Sequence, residues 1–239
     1  MKALRRVVLM VVALVASSLS LVTVASSPAH ADTYTGKVEV DATVAMKQGG
    51  TATVAAAVTV GVDGVDYYVP VGTATLQQLP YGARSWSTVT TATLGAGVQP
   101  LRWTVRPAKN TQYRVLYSGG SYTNSDNSVD TFTPATSRTV QVGVARNLND
   151  KFKKRTRNFS GKIASYGRKP VLIQKSTCAN PKVASCKWKK FRTVKTNAKG
   201  AWSTKLTISG RKTHFRAVVK AGSGYITSYS NYVISTWRY

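Results

Sequence analysis

Residues 188–220 (WKKFRTVKTNAKGAWSTKLTISGRKTHFRAVVK) restrict the fold more than any other stretch. Apolar and polar side chains alternate there with period two, and the alternation is broken at two glycine-containing turns. Successive side chains on a strand point to opposite faces, so the pattern predicts three β-strands. Trp202, Leu206 and Ile208 are expected to face inward, with Ser203, Lys205 and Thr207 outward. On the next strand Phe215, Ala217 and Val219 take one face and Arg216, Val218 and Lys220 the other. If Phe191 packs inward as Trp86 does, Lys190 and Arg192 join Lys205, Arg216 and Lys220 on one cationic sheet face.

The remainder carries the same signals. Val38 and Val40 share one face of an alternating run, and 51–60 (TATVAAAVTV) is a second strand after Gly49 and Gly50. Residues 67–78 read as one extended run, with Pro70 at an edge or bulge. Strands are also predicted at 86–92, at 101–106 with Leu101, Trp103 and Val105 on one face, and at 113–117, 160–165 and 170–175. No helical apolar period appears beyond the N-terminus, and short strands with frequent turns imply an all-β sandwich or barrel. Residues 134–137 look like a boundary, with 139–144 opening a second unit.

The two halves match. Residues 86–89 (WSTV) lie over 191–194 (FRTV), 113–115 (YRV) over 215–217 (FRA), and 118–121 (SGGS) near 221–224 (AGSG). This reads as duplication of one sandwich unit. The order of aromatic-x-Thr-Val, turn, strand, Tyr/Phe-Arg and Gly/Ser loop, carried by 72–133 and 160–236, resembles the Ig-like repeats of secreted bacterial surface proteins. The resemblance implies two Ig-like antiparallel β-sandwich domains in tandem, at 32–136 and 137–239. Such repeats serve as spacers, adhesins and accessory modules.

Residues 1–31 read as a signal peptide: Lys2, Arg5 and Arg6, an apolar run, then small residues at Ala29 and Ala31. The mature chain is expected to be secreted, extracellular or loosely attached to the cell surface, with no transmembrane segment. Cys178 and Cys186 are the only cysteines and, in an exported chain, are expected to form a disulfide.

Charge separates the halves. Residues 32–136 hold seven basic and seven acidic residues, whereas 137–239 hold 24 basic residues against Asp150 alone. Charge at that density repels itself unless a polyanion relieves it. The expected partner is a polyanionic polymer or the cell envelope, with nucleic acid among the ligands. The binding residues would be Lys190, Arg192, Lys205, Arg216 and Lys220, with Lys151, Lys153, Lys154, Arg155 and Arg157 from a basic run that otherwise reads as a solvated loop. Trp188, Tyr166, Tyr225 and Tyr229 offer rings for stacking, although core burial suits Trp188 better.

Catalysis has little to work with. His214 and Glu39 are the only histidine and glutamate of the mature chain, and neither G-x-S-x-G nor H-E-x-x-H occurs. His214 reads as a surface residue at a strand start. Asp126 and Asp130, with Asn124 and Asn127, read as an Asx-rich turn rather than a cation loop. No enzyme activity, metal or cofactor is expected. The alternative to polyanion binding is a structural or adhesive spacer.

Overall fold

The computed structural model describes residues 31–95, 98, 100–207, 212–231 and 233–236. The expected signal peptide, all but Ala31, lies outside these residues, as does Ile208. The first half runs through β1 (Thr33–Tyr34), β2 (Lys37–Ala42), β3 (Ala45–Lys47), β4 (Ala52–Val62), β5 (Val65–Tyr68), β6 (Thr73–Pro80), β7 (Ser87–Thr93), β8 (Leu101–Val105), β9 (Thr111–Tyr117), β10 (Gly120–Thr123), β11 (Val129–Phe132), β12 (Ala135–Thr136) and β13 (Val140–Ala145). The second contains β14 (Lys151–Lys153), β15 (Asn158–Lys162), β16 (Pro170–Ser176), β17 (Lys189–Lys195), β18 (Ala201–Lys205), β19 (Thr213–Val219), β20 (Ser228–Tyr229) and β21 (Ile234–Thr236). No helix occurs among the described residues, and the chain is all β.

Two sandwiches form because alternation gives each sheet one apolar face. In the first, β2–β4–β5 with β8 packs against β3–β13–β9–β6–β7 with β12. Val38, Val40, Val54 and Val58 of one sheet meet Leu76, Tyr113, Val115 and Val142 of the other in one buried cluster. In the second, β14–β15–β18 packs against β17–β16–β19–β20 with β21. Phe159, Trp202 and Leu206 there meet Val171, Ile173, Phe215, Ala217 and Val219. Phe159 and Trp202 make an edge-to-face pair with centroids 4.9 Å apart. Gly161 faces Trp202 across the strands, and a Cβ there would lie 2.8 Å from the indole. The small residue is what lets the ring approach the strand this closely.

Three local expectations change. The run 67–78 is two strands in different sheets, β5 and β6, with the chain turning through Pro70 and Gly72. The run 139–144 does not open the second unit. β13 pairs with β9 and with β3, and Val142 and Val144 belong to the first cluster. The basic run after Asn147 is a hairpin rather than a loop, because Leu148 and Phe159 are drawn into the second core on either side of it.

Candidate anion-binding surface

The three strands of 188–220 do not share one sheet. β17 and β19 flank β16, whereas β18 pairs with β15 in the opposite sheet. Lys205 therefore lies on the other side of the sandwich from Arg216, and the expected single cationic face is two separate faces. Parity along β18 is as expected, with Trp202 and Leu206 buried and Ser203, Lys205 and Thr207 exposed.

The first face belongs to β14–β15–β18. Lys153, Asn158 and Lys205 form one cross-strand row, and Lys151, Ser160 and Ser203 the next. Ser203 donates to Asn158 Oδ1 at 2.7 Å, leaving the three lysines exposed around a small polar floor. Lys154 and Arg155 are exposed on the connecting turn, and Arg157 adopts φ 56° at its end.

The second face belongs to β17–β16–β19–β20. Lys190, Gln174 and Arg216 form a row across three strands, on the side opposite core residue Ile173. Arg216 Nε donates to Gln174 Oε1 at 2.8 Å. Its guanidinium lies 4.2 Å from the Trp188 ring centroid and 4.7 Å from that of Tyr229. Trp188 is thus half-buried against a guanidinium rather than in the core. Partial burial lowers the Arg216 pKa, an effect opposed by Tyr229. Arg192 leaves this row. A bulge between Ile173 and Gln174 in the pairing sets Arg192 opposite Ile173, 4.4 Å over the Phe191 ring. Lys220 is exposed just beyond β19.

The first half carries the same frame. Arg114 Nε donates to Gln77 Oε1 at 2.9 Å and its guanidinium lies 4.4 Å over Trp86. A bulge falls between Leu76 and Gln77, and Gln77 faces Thr88 and Arg114. Trp86 therefore corresponds to Trp188, three residues from the Phe191 match suggested by the sequence. Trp86 lies outside the core cluster, so it gives no precedent for an inward Phe191. Phe191 does pack on Phe215, with centroids 5.2 Å apart. In register, Thr88 stands where the second half has Lys190. Thr136, opposite Leu116, stands where the second half has Tyr229, opposite Val218. The Gln that follows Leu76 and Ile173 was the available sequence signal for this frame, and it needs the strand register to be recognised.

The remaining rings are occupied. Tyr166 and Tyr225 are buried and clamp Arg146, with the guanidinium 4.9 and 3.8 Å from their centroids. This clamp lies where the two cores meet: Ile226 N–H donates to Val144 C=O at 3.0 Å and Asn110 N–H to Gly224 C=O at 2.8 Å. Tyr229 is 49% exposed.

Several carboxylates are engaged or buried. Lys37 bridges Glu39 at 3.1 Å and Asp66 at 3.3 Å. Asp126 accepts from the Ser128 hydroxyl and N–H, which holds its carboxyl below the usual range, and Asn124 donates to Asp130. Asp150 is buried, and its Oδ1 accepts from Asn231 N–H at 2.7 Å. Among the described residues, no three His, Cys, Asp or Glu side chains gather as a metal site. His214 is buried rather than on the surface, with Nδ1 2.8 Å from Ser235 Oγ. A disulfide joins Cys178 to Cys186, Cα atoms 5.8 Å apart.

No protein-family model and no curated protein matches the chain. Among solved structures it aligns with a superoxide reductase (neelaredoxin) from Ignicoccus hospitalis at TM-score 0.29 and 12% identity, over 44% of this chain and 80% of that one. It aligns with the chicken CNTN1 FN1–FN3 domains at TM-score 0.24 and 12% identity, over 87% and 68%. A chain from a chaperone–tip adhesin complex of CFA/I fimbriae aligns at TM-score 0.22 and 9% identity, over 84% and 98%. Alignments this weak transfer no function.

Proposed function

We propose that the chain is an exported, non-enzymatic protein of two tandem Ig-like domains whose basic second half holds a polyanion of the cell envelope or its surroundings. The carrying observation is uncompensated charge. From Ser137 onward Asp150 is the only acidic side chain, and it is buried and bonded to Asn231. The lysines of both sheet faces thus lack a carboxylate from their own half, and counterions or a polymer must supply the opposite charge. The leader-like start and the disulfide support export. The scarcity of catalytic side chains supports a binding role. A rigid spacer is the second reading, favoured by the Arg146 clamp that couples the two cores. Retention of the mature chain on DNA, acidic-glycan and cell-wall columns at low salt tests the first reading. Retention that disappears at high salt is expected. Passage through all three columns leaves the charge to solubility and the protein to the spacer reading.

A further inference from the structure

The frame shared by the two halves separates what holds a sheet together from what was added to one of them. Gln77, Arg114 and Trp86 in the neutral half match Gln174, Arg216 and Trp188 in the basic half, with the same hydrogen bond and ring contact. A stack present in both halves is explained by packing alone. Of the positions that differ around this frame, two bear on the Arg216 guanidinium. Lys190 replaces Thr88 beside the glutamine, and Tyr229 replaces Thr136 beside the arginine. Each change suits an anion. Tyr229 closes a second ring over the guanidinium, so Arg216 is held between two aromatic faces with Nε fixed on Gln174. An arginine held this way presents its terminal nitrogens as a rigid fork. Lys190 adds a mobile cation two strands away, about 10 Å between Cα atoms, a gap that two long side chains close above Gln174.

We propose that this outer face binds one phosphodiester unit of an anionic polymer, Arg216 taking two oxygens and Lys190 approaching the unit from a second direction. The assignment rests on the polyanion reading above and names its site. A carboxylate's lone pairs lie in one plane, which the fork fills; the two non-bridging oxygens of a phosphodiester also accept from outside that plane, where the lysine approaches. The rings of Trp188 and Tyr229 already stack on the guanidinium, so the polymer is held by its phosphates and not by base stacking.

The test uses the full mature chain and dissociation constants at low salt for three probes: a short oligothymidylate, an abasic oligomer of equal length, and a polyuronate. Tyr229→Thr copies the first half at this position and Arg216→Lys keeps the charge, so neither variant alters net charge. Each is expected to weaken phosphodiester binding roughly tenfold. Lys190→Thr should weaken it more than Lys153→Thr, which removes the same charge from the other sheet. The abasic oligomer should bind as well as oligothymidylate, and the polyuronate should be nearly indifferent to Tyr229→Thr. If wild type binds but Tyr229→Thr binds within about twofold of it, the site is wrong and the general polyanion reading stands. Absence of wild-type binding to any probe sinks both. Equal losses on the polyuronate overturn the phosphate assignment, and failure of the abasic oligomer makes the surface a base reader. Thermal unfolding checks each variant; should Arg216→Lys not fold, Tyr229→Thr decides.

Discussion

His214 is 2% exposed, and its Nε2 has no partner among the described residues. Burial, reinforced by nearby Lys212, pushes its pKa below the ordinary 6.5, and a backbone hydrogen bond at Cys178 opposes the shift. The unfolded chain therefore binds this proton more readily than the folded one. Stability from this residue is complete above the unfolded pKa and is lost as pH falls toward the folded value. The melting temperature should thus drop between about pH 7.5 and about pH 5, and His214→Gln should flatten that drop. A decline equally steep in the variant would assign it to other groups. Asp126 acts in a separate window. Its pKa lies below 3.8, so its contribution is kept above that value and lost only in stronger acid. Gly161 gives a second test at this scale. A Cβ there would lie 2.6 Å from the Leu148 carbonyl oxygen and 2.8 Å from the Trp202 ring. Gly161→Ala should cost about 1–3 kcal/mol in urea denaturation.

Whole elements show where one-dimensional reading succeeds and where it stops. Period two is local, so the inward set Trp202, Leu206, Phe215, Ala217 and Val219 was legible in the sequence and is buried. Sheet membership is not local. Nothing in 201–205 states that β18 pairs with β15 rather than with β17 or β19, and that choice moves Lys205 away from Arg216. A bulge defeats parity in another way. One extra residue at Phe191 shifts Arg192 off the face of Lys190, although the alternation of 188–195 looks continuous. Trp188 was hardest to place, since a ring stacked on a guanidinium has the same composition signal as a core ring. The Cys178–Cys186 pairing was legible from spacing and the leader-like composition of 1–31, and the structure contains it. Replacing both cysteines by serine should lower stability by about 2.5 kcal/mol if the small loop acts through chain entropy, measured by denaturant titration. A far smaller loss would mean that Ser176, 3.1 Å from each sulfur, and its neighbours hold the loop without the bond.

Across the whole molecule, two cores meet at Arg146. The residue follows β13 of the first core and precedes Leu148 of the second, while Tyr225, from far down the chain, packs into the first cluster. Arg146→Ala leaves the Tyr166 and Tyr225 rings unfilled. It should cost about 2 kcal/mol, the scale of a desolvated cation–π contact, and split one calorimetric transition into two. A single unshifted transition would show that the cores are coupled elsewhere. The same architecture sends the basic half's charge to two opposite faces, one with Lys151, Lys153 and Lys205 and one with Lys190, Arg216 and Lys220. That uncompensated charge is the central claim, and its most direct test is the binding constant of residues 32–239 for oligothymidylate against salt. Engagement of the Lys151, Lys153 and Lys205 face, one phosphate per lysine, predicts a log–log slope of about −2, from about −0.7 per neutralised phosphate, and a loss of more than about tenfold between about 50 and 200 mM. On the other face Arg216 and Lys190 share one phosphate and Lys220 takes a second, for a slope of about −1.4. A slope near zero, or no binding at about 50 mM, would contradict it.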